Sequence, residues 1–358
     1  MITEAALSEL RRRADAYLDV EPPSVVRKRV LPPSGDIHDY LSLAPYFWRN
    51  PDTDDGLPYV MADGEFNPAA MEIPDKPGLY LLLDLVYVLG HAYRRFRRPE
   101  HAEKAATCLR IWFLAPETRM NPNLEYGQGI PGVSHGRPVG LIDTREIGKV
   151  LEGAMLLEGS GAWSAADTGL LRTWIGHFLT WLFNSAFGRE EASATNNHAT
   201  WYQAQAAAML LFCGHLDRAR EMVERGNRLL DEQVAADGRQ PQELTRTNSR
   251  HYSMFNLLGF CRLARVGDQV GADLWEHRTP SGAGMGAAID HLLAYWDAWP
   301  LPTLGPMPAD NVEFLEVLYG AAQHCGARFA VAWRERSAAD DLSPIFFGPL
   351  NEGARRQP

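Results

Sequence analysis

Cysteine is rare in this 358-residue chain, and its four copies, Cys108, Cys213, Cys261 and Cys325, are scattered without the spacing of a metal site. Three fall inside apolar helical patterns, so free buried thiols in a reducing compartment are expected rather than a disulfide framework. Positive charge is in deficit. Against 45 Asp and Glu stand 35 Lys and Arg, a balance of −10 that argues against nucleic acid and anionic membranes as partners. No apolar run is long enough to span a bilayer. The opening residues, Met1-Ile2-Thr3-Glu4-Ala5-Ala6-Leu7, show no charged stretch followed by an apolar core. A signal peptide is therefore not expected, and the chain as it stands belongs in the cytosol, or in the periplasm or outside the cell if a leader was removed. Also missing are the glycine-rich phosphate loops after a strand, the HExxH helix and the GxSxG elbow. Nucleotide binding, zinc-protease chemistry and a serine-hydrolase site lose their motifs, and neither metal nor cofactor is expected.

What is present is material for a large helical core: hydrophobic residues make up 46% and charged residues 22%. Residues 3–18 carry Leu7, Leu10, Ala14 and Leu18 at helical spacing. Apolar helices follow at 79–96 and 100–114, then a regular series near 145–158, 167–185, 197–213, 216–235, 252–265, 283–298, 311–323 and 327–339. Turns between them carry Gly, Asp or Pro, as at Gly188, Asp237-Gly238 and 300–308. Helical hairpins of this length stack into solenoids or close into α/α toroids. No linker divides the chain, so residues 1–358 are expected to form one domain, with the polar tail 351–358 frayed. Between the first helix and the rest lies the long segment 34–78, rich in Pro, Gly, Asp and Tyr. Its rings, Tyr40, Tyr46, Phe47, Trp48, Tyr59 and Phe66, suit an ordered lid or wall better than disorder. Tyr40 and Phe66 are read as core packing.

Two stretches stand out. Asn196-Asn197-His198-Ala199-Thr200-Trp201-Tyr202-Gln203 opens an apolar helix with more reactive groups than capping requires. Free N–H groups and the dipole make such a terminus suited to an anion. A second polar run, Gln240-Pro241-Gln242-Glu243-Leu244-Thr245-Arg246-Thr247-Asn248-Ser249-Arg250-His251-Tyr252, opens another apolar helix. From His198 to Tyr252 is 54 residues (252 − 198), about an outgoing helix, a return helix and their turns. Two helices of the same sense would bring both sets of side chains to one end of the array.

These two runs resemble the catalytic segments of the alginate lyase superfamily, polysaccharide lyases with helical toroid folds. Ser34-Gly35-Asp36-Ile37-His38-Asp39-Tyr40, Ala44-Pro45-Tyr46-Phe47-Trp48 and Asp63-Gly64-Glu65-Phe66-Asn67-Pro68 are similar to the family's N-terminal signature. So is the loop from Met120 through Gln128 and Arg137 to Asp143-Thr144-Arg145. Where many relatives have Tyr-Trp-Trp-Pro-Asp-Pro, this chain has Tyr46-Phe47-Trp48-Arg49-Asn50-Pro51, a departure at the outer sugar subsites. The resemblance implies an all-α fold, an incomplete (α/α) toroid of helical hairpins with a long N-terminal lid loop. It also implies cleavage of an alginate-like or glucuronan-like polyuronate by metal-independent β-elimination.

That reaction needs a base for the C5 proton, an acid for the C4 oxygen and donors that neutralise the uronate carboxylate. Asn197 and Arg246 suit the last task. Tyr252 suits the acid, and also the base if Arg246 or Arg250 depresses its phenol; His198 is the alternative base. The resemblance carries these roles onto Asn197, His198, Arg246 and Tyr252. Tyr46, Trp48, Gln128, Arg137, Trp201, Arg250 and His251 are the expected contacts to an acidic polysaccharide or oligosaccharide, while Asp143 or Thr144 is expected to cap the helix at 145–158. Two other readings compete. A glycoside hydrolase would need a carboxylate pair, and Glu125, Asp143 and Glu243 form no persuasive one. A non-catalytic polysaccharide-binding helical protein leaves the two reactive helix starts without a purpose.

Overall fold

The computed structural model describes residues 2–301 and 311–348. Helix α1 (Glu4–Leu18) begins where Thr3 accepts a hydrogen bond from the Ala6 N–H, and it buries Ala6, Leu10 and Ala14. The segment that follows folds as an ordered wall. Strand β1 (Leu41–Leu43) is followed by an antiparallel hairpin of β2 (Phe47–Trp48) and β3 (Val60–Met61). Tyr40 is fully buried, as expected, whereas Phe66 is 49% exposed and is not part of the core.

Helix α2 (Asp75–Phe96) starts four residues before its apolar stretch. Next come α3 (Pro99–Leu109), which runs into a single π turn, and strand β4 (Tyr126–Gly129). β4 pairs in parallel with β1, a strand that no alternating pattern announced. Then follow α4 (Ile147–Leu156), α5 (Ala165–Asn184), α6 (Ala186–Ala192), α7 (Asn197–Phe212), α8 (Leu216–Gln233), α9 (Pro241–Leu244) and α10 (Ser249–Val270). The described part ends with α11 (Met285–Tyr295), α12 (Val312–His324), α13 (Ala327–Arg336) and the short α14 (Ser343–Phe346). Short α6 was not expected. The turn expected at 302–308 and the tail 351–358 lie outside the described residues.

The helices form two layers. α2, α4, α7, α10 and α12 contact one another in succession as an inner ring, with α1, α3, α5, α8, α11 and α13 packed outside it. Inner helices are apolar almost all round, which is why α7 and α10 show long unbroken runs of buried residues. α2 and α4 meet at Gly90 and Gly153. A Cβ on Gly90 would come within 2.7 Å of the Gly153 carbonyl oxygen, so only glycine permits the crossing. Half-buried ion pairs tie the ring together: Arg262 of α10 bonds Glu146 beside α4 at 3.0 Å and buried Glu316 of α12 at 2.8 Å. The Tyr87 hydroxyl of α2 donates to the Phe346 carbonyl of α14, joining the last elements to the first.

Among the described residues all four cysteines are free; Cys108 and Cys261 are buried, Cys213 and Cys325 only partly. No described helix is long and apolar enough to cross a membrane.

Candidate active site

The inner helices α7 and α10 open on the same side of the ring, facing the wall. At the start of α7 the Asn196 side chain accepts from the His198 N–H and fixes the first turn. Asn197 is almost fully buried. Its backbone N–H and its side-chain Nδ2 both donate to Glu243 of α9, each at 2.8 Å. Burial pushes the Glu243 carboxyl up, opposed by these two bonds and by the charges of Arg246 and His198. Glu243 thus joins the start of α7 to the segment leading into α10.

His198 keeps a fifth of its side chain exposed, and its Nδ1 lies 2.9 Å from Oε2 of buried Glu191 on α6. Arg246 is held from the wall. Its Nη2 donates to Asp63 at 2.8 Å, and Asp63 also accepts from the Thr247 hydroxyl at 2.9 Å. The Arg246 hydrogen bond holds the Asp63 carboxyl below the usual range. Nη1 of Arg246 meets no acceptor among the described residues, so one edge of the guanidinium remains for an anion.

Beneath it lies Tyr252, with the guanidinium carbon 3.7 Å from the ring centroid. The Tyr252 hydroxyl donates to that of Tyr46 at 3.1 Å, and the residue is 7% exposed. Burial, followed by the neighbouring Tyr46 hydroxyl, pushes the phenol well above its ordinary value, and Arg246 opposes this without overcoming it. A depressed phenol, the condition on which Tyr252 could also be the base, is not what these surroundings favour. Arg250 lends no help: it is buried, and its Nη1 donates to the Trp296 carbonyl, away from Tyr252. The expected substrate contact through Arg250 gains no support from this placement. His251 stacks on Phe255 and meets Tyr252 edge-on; burial and then Arg145 and Arg246 lower its pKa.

Two more expected sugar contacts are part of the framework. Trp201 is 0% exposed and packs on Phe255 between α7 and α10, so it has no face to offer. Gln128 is also buried, with φ of 51°, and its Nε2 donates to Asp143 while its Oε1 accepts from Arg137. Asp143 caps no helix. It also accepts from Tyr40, Ser42 and Lys76, which makes it the hub that fixes the wall to α2. Tyr46 and Arg137 are partly exposed along this wall, and Trp48, at 36% exposure, stands outermost with its Nε1 bonded to the Glu65 carbonyl.

Sequence reasoning missed the acidic partners. Glu243 was weighed only as a hydrolase acid, and Asp63 only as part of a signature. Glu191 carried no signal beyond standing seven residues before His198, and Arg145, whose guanidinium lies over the Tyr80 and Phe255 rings, was not singled out. Of the candidate hydrolase acids, Glu125 accepts from the Trp181 indole, Asp143 is paired with Lys76, and Glu243 accepts from Asn197. Among the described residues no three His, Cys, Asp or Glu side chains are grouped to hold a metal ion.

A family model described as Alginate lyase matches residues 24–300. Among solved structures, an alginate lyase from Bacteroides ovatus superposes with a TM-score of 0.91 at 31% identity, over 96% of this chain and 93% of that one. Alginate lyase A1-III from Sphingomonas species A1 gives 0.56 at 13% identity, over 96% and 95% of the two chains. A variant of A1-III complexed with a tetrasaccharide gives 0.59 at 11%, over 96% and 94%. At such identities the last two speak for the fold alone. A comparison with curated proteins finds no match.

Proposed function

Since the chain belongs to the alginate lyase family and is a polysaccharide lyase acting on alginate, we propose that it cuts by β-elimination without a metal ion. The cut would fall where α7 and α10 begin, leaving an unsaturated uronate end. Removing the C5 proton places charge beside a carboxylate that is already negative, so the reaction needs preorganised donors at that carboxylate. Arg246 offers its open edge for this, and Asn197 has a second Nδ2 hydrogen beyond the one given to Glu243. The observation that carries the proposal is Tyr252. Its phenol is kept protonated by burial and by Tyr46, 3.1 Å away, beneath a cation that meets the substrate's charge. Such a group suits an acid that gives its proton to the departing C4 oxygen.

The raised phenol favours a separate base, and His198 is the candidate, with Nδ1 occupied by Glu191 and Nε2 remaining for the C5 proton. Two geometries follow. When the C5 proton lies opposite the leaving oxygen, His198 and Tyr252 act from the two faces. When both lie on one side, Tyr252 would do both tasks only after giving up its own proton, which burial and Tyr46 oppose, and His198 would then orient the sugar. Lid and ring serve one site in this reading, because Tyr46 and Asp63 of the lid bond Tyr252 and Arg246 of the ring. Trp48 and Arg137 are assigned to sugars farther along the chain.

The test is incubation with mannuronate-rich, guluronate-rich and glucuronate polymers, following the ultraviolet absorbance of the unsaturated product with and without a chelator. Absorbance that grows on an alginate polymer and withstands the chelator is expected. Saturated reducing sugars as the sole product would overturn the elimination, and activity lost to chelator and restored by a metal would overturn the metal-free clause.

A further inference from the structure

We propose that Glu191 is the positioning residue that makes His198 a base, and that it thereby governs cleavage where the C5 proton lies opposite the leaving oxygen. The inference rests on the elimination reading above and adds a residue that no motif marks. Glu191 sits on α6, the short helix between α5 and α7, with its carboxylate almost fully buried and His198 as its one hydrogen-bond partner among the described residues. An ionised carboxylate only accepts hydrogen bonds, so the 2.9 Å contact puts the ring proton on Nδ1 of His198. In the neutral ring Nε2 is then the nitrogen without a proton. A ring flip or the other tautomer would leave a buried charge facing a lone pair, so position and protonation are set together. The backbone is pinned independently by Asn196, which leaves Glu191 the task of orienting the ring. When Nε2 takes the C5 proton, the imidazolium that forms faces an anion already in position.

The nearby groups fit this role. Arg137 feels the Glu191 charge but does not bond it, and Glu243 binds Asn197 rather than His198. Each carboxylate therefore holds one site residue.

The experiment compares wild type, E191Q, E191L and H198A on mannuronate-rich and guluronate-rich polymers, with nitrogen NMR of the His198 ring as the second readout. Glutamine fills the same space but donates as readily as it accepts, so the ring can take the Nε2–H form, which cannot act as a base. In a serine protease triad, amide-for-carboxylate exchange behind the histidine costs about 10⁴ in rate. Here a fall in kcat of about a hundredfold or more is expected for E191Q on the polymer that depends on His198, with KM within about threefold. The ratio of rates on the two polymers should shift by at least about tenfold, and the ring spectrum should change from the Nδ1–H pattern. E191L, which has no polar group for the ring, should show both tautomers. A folded E191Q with wild-type kcat on the His198-dependent polymer, or an unchanged tautomer, would overturn the inference. If instead H198A keeps wild-type rates on every polymer, the base assignment falls and takes the inference with it. H198A dead and E191Q active would indict Glu191 alone.

Discussion

Replacing Tyr252 by Phe separates chemistry from structure more cleanly than any other change here. The ring stays, and with it the packing on His251 and the contact to Arg246 at 3.7 Å. What disappears is one hydroxyl and its 3.1 Å bond to Tyr46. A neutral hydrogen bond contributes about 1 kcal/mol net, and the partly exposed Tyr46 hydroxyl can bond water instead. The stability loss should therefore stay under about 1 kcal/mol, visible as a melting shift of only about 2 °C. Loss of the acid should cost at least about a hundredfold in kcat, or about 2.7 kcal/mol of barrier. The two effects differ enough that one melting curve and one set of initial rates decide between them.

The pH profile supplies the second arm. Burial and Tyr46 raise the phenol, so the proton it must donate is present at every pH below its ordinary value of about 10. Wild-type kcat should show no loss from Tyr252 ionisation below that pH, whereas a depressed phenol serving as base would make the rate climb near neutrality. Near-normal kcat for Tyr252→Phe on every cleavable polymer would mean that the reaction belongs to other residues.

Asp63→Asn should loosen the lid, since Asp63 binds both Arg246 and Thr247; a several-fold rise in KM and faster proteolysis within 34–78 are expected. Because the Asp63 carboxyl is held below its usual range, the latch is fully present above about pH 4 and lost as pH falls through the lowered value. Wild-type lid cleavage by an acid protease should accelerate in that window. Trp48→Ala should raise KM with little change in melting, while Trp201→Ala, at 0% exposure, should cost about 3 to 5 kcal/mol of stability, read by chemical denaturation. Asp75→Asn should destabilise by about 3 kcal/mol or more, since it strands buried Lys28, now 2.7 Å away; adding Lys28→Met should recover most of the loss.

The helices were legible because each buried stripe repeats locally, and the two reactive starts because polar clusters opening apolar helices are a local signal. Tertiary partners were not. β4 pairs with β1 across more than eighty residues, so neither three- to four-residue stretch announced a strand. Trp201 mimics a sugar platform in sequence, but an inner helix of a two-layer ring is enclosed on every side, and its rings are core. Gln128 was expected to bind sugar, yet β4 is paired with β1 of the wall and the Gln128 side chain is bonded to Asp143. Arg246 and Arg250 looked equivalent beside Tyr252. Arg246 precedes α10 and is free to lie over the ring, whereas Arg250, inside the first turn, is two residues and roughly 200° of helix rotation away.

A net charge of −10 is unfavourable for a polyanionic substrate unless the local field differs, and the proposed site gives a reason for such a difference. Each polar group proposed to face the sugar is gripped by a carboxylate from a different element: Asn197 by Glu243 of α9, His198 by Glu191 of α6, Arg246 by Asp63 of the lid. Glu191 and Glu243 are buried beside the groups that they orient, whereas Asp63 is as exposed as Arg246. The charge of the three acids is spent on positioning, while Arg246 keeps an open edge. The arrangement also places the lid on the reaction path, because Asp63 competes with the substrate for the same guanidinium. In the proposed site a bound carboxylate would share Arg246 with Asp63, so affinity and the Asp63 contact should be coupled. In Asp63→Asn that coupling is cut, and the salt dependence of KM should steepen as Arg246 comes to face the substrate with its full charge. An unchanged salt dependence would show that Asp63 and the substrate do not share Arg246.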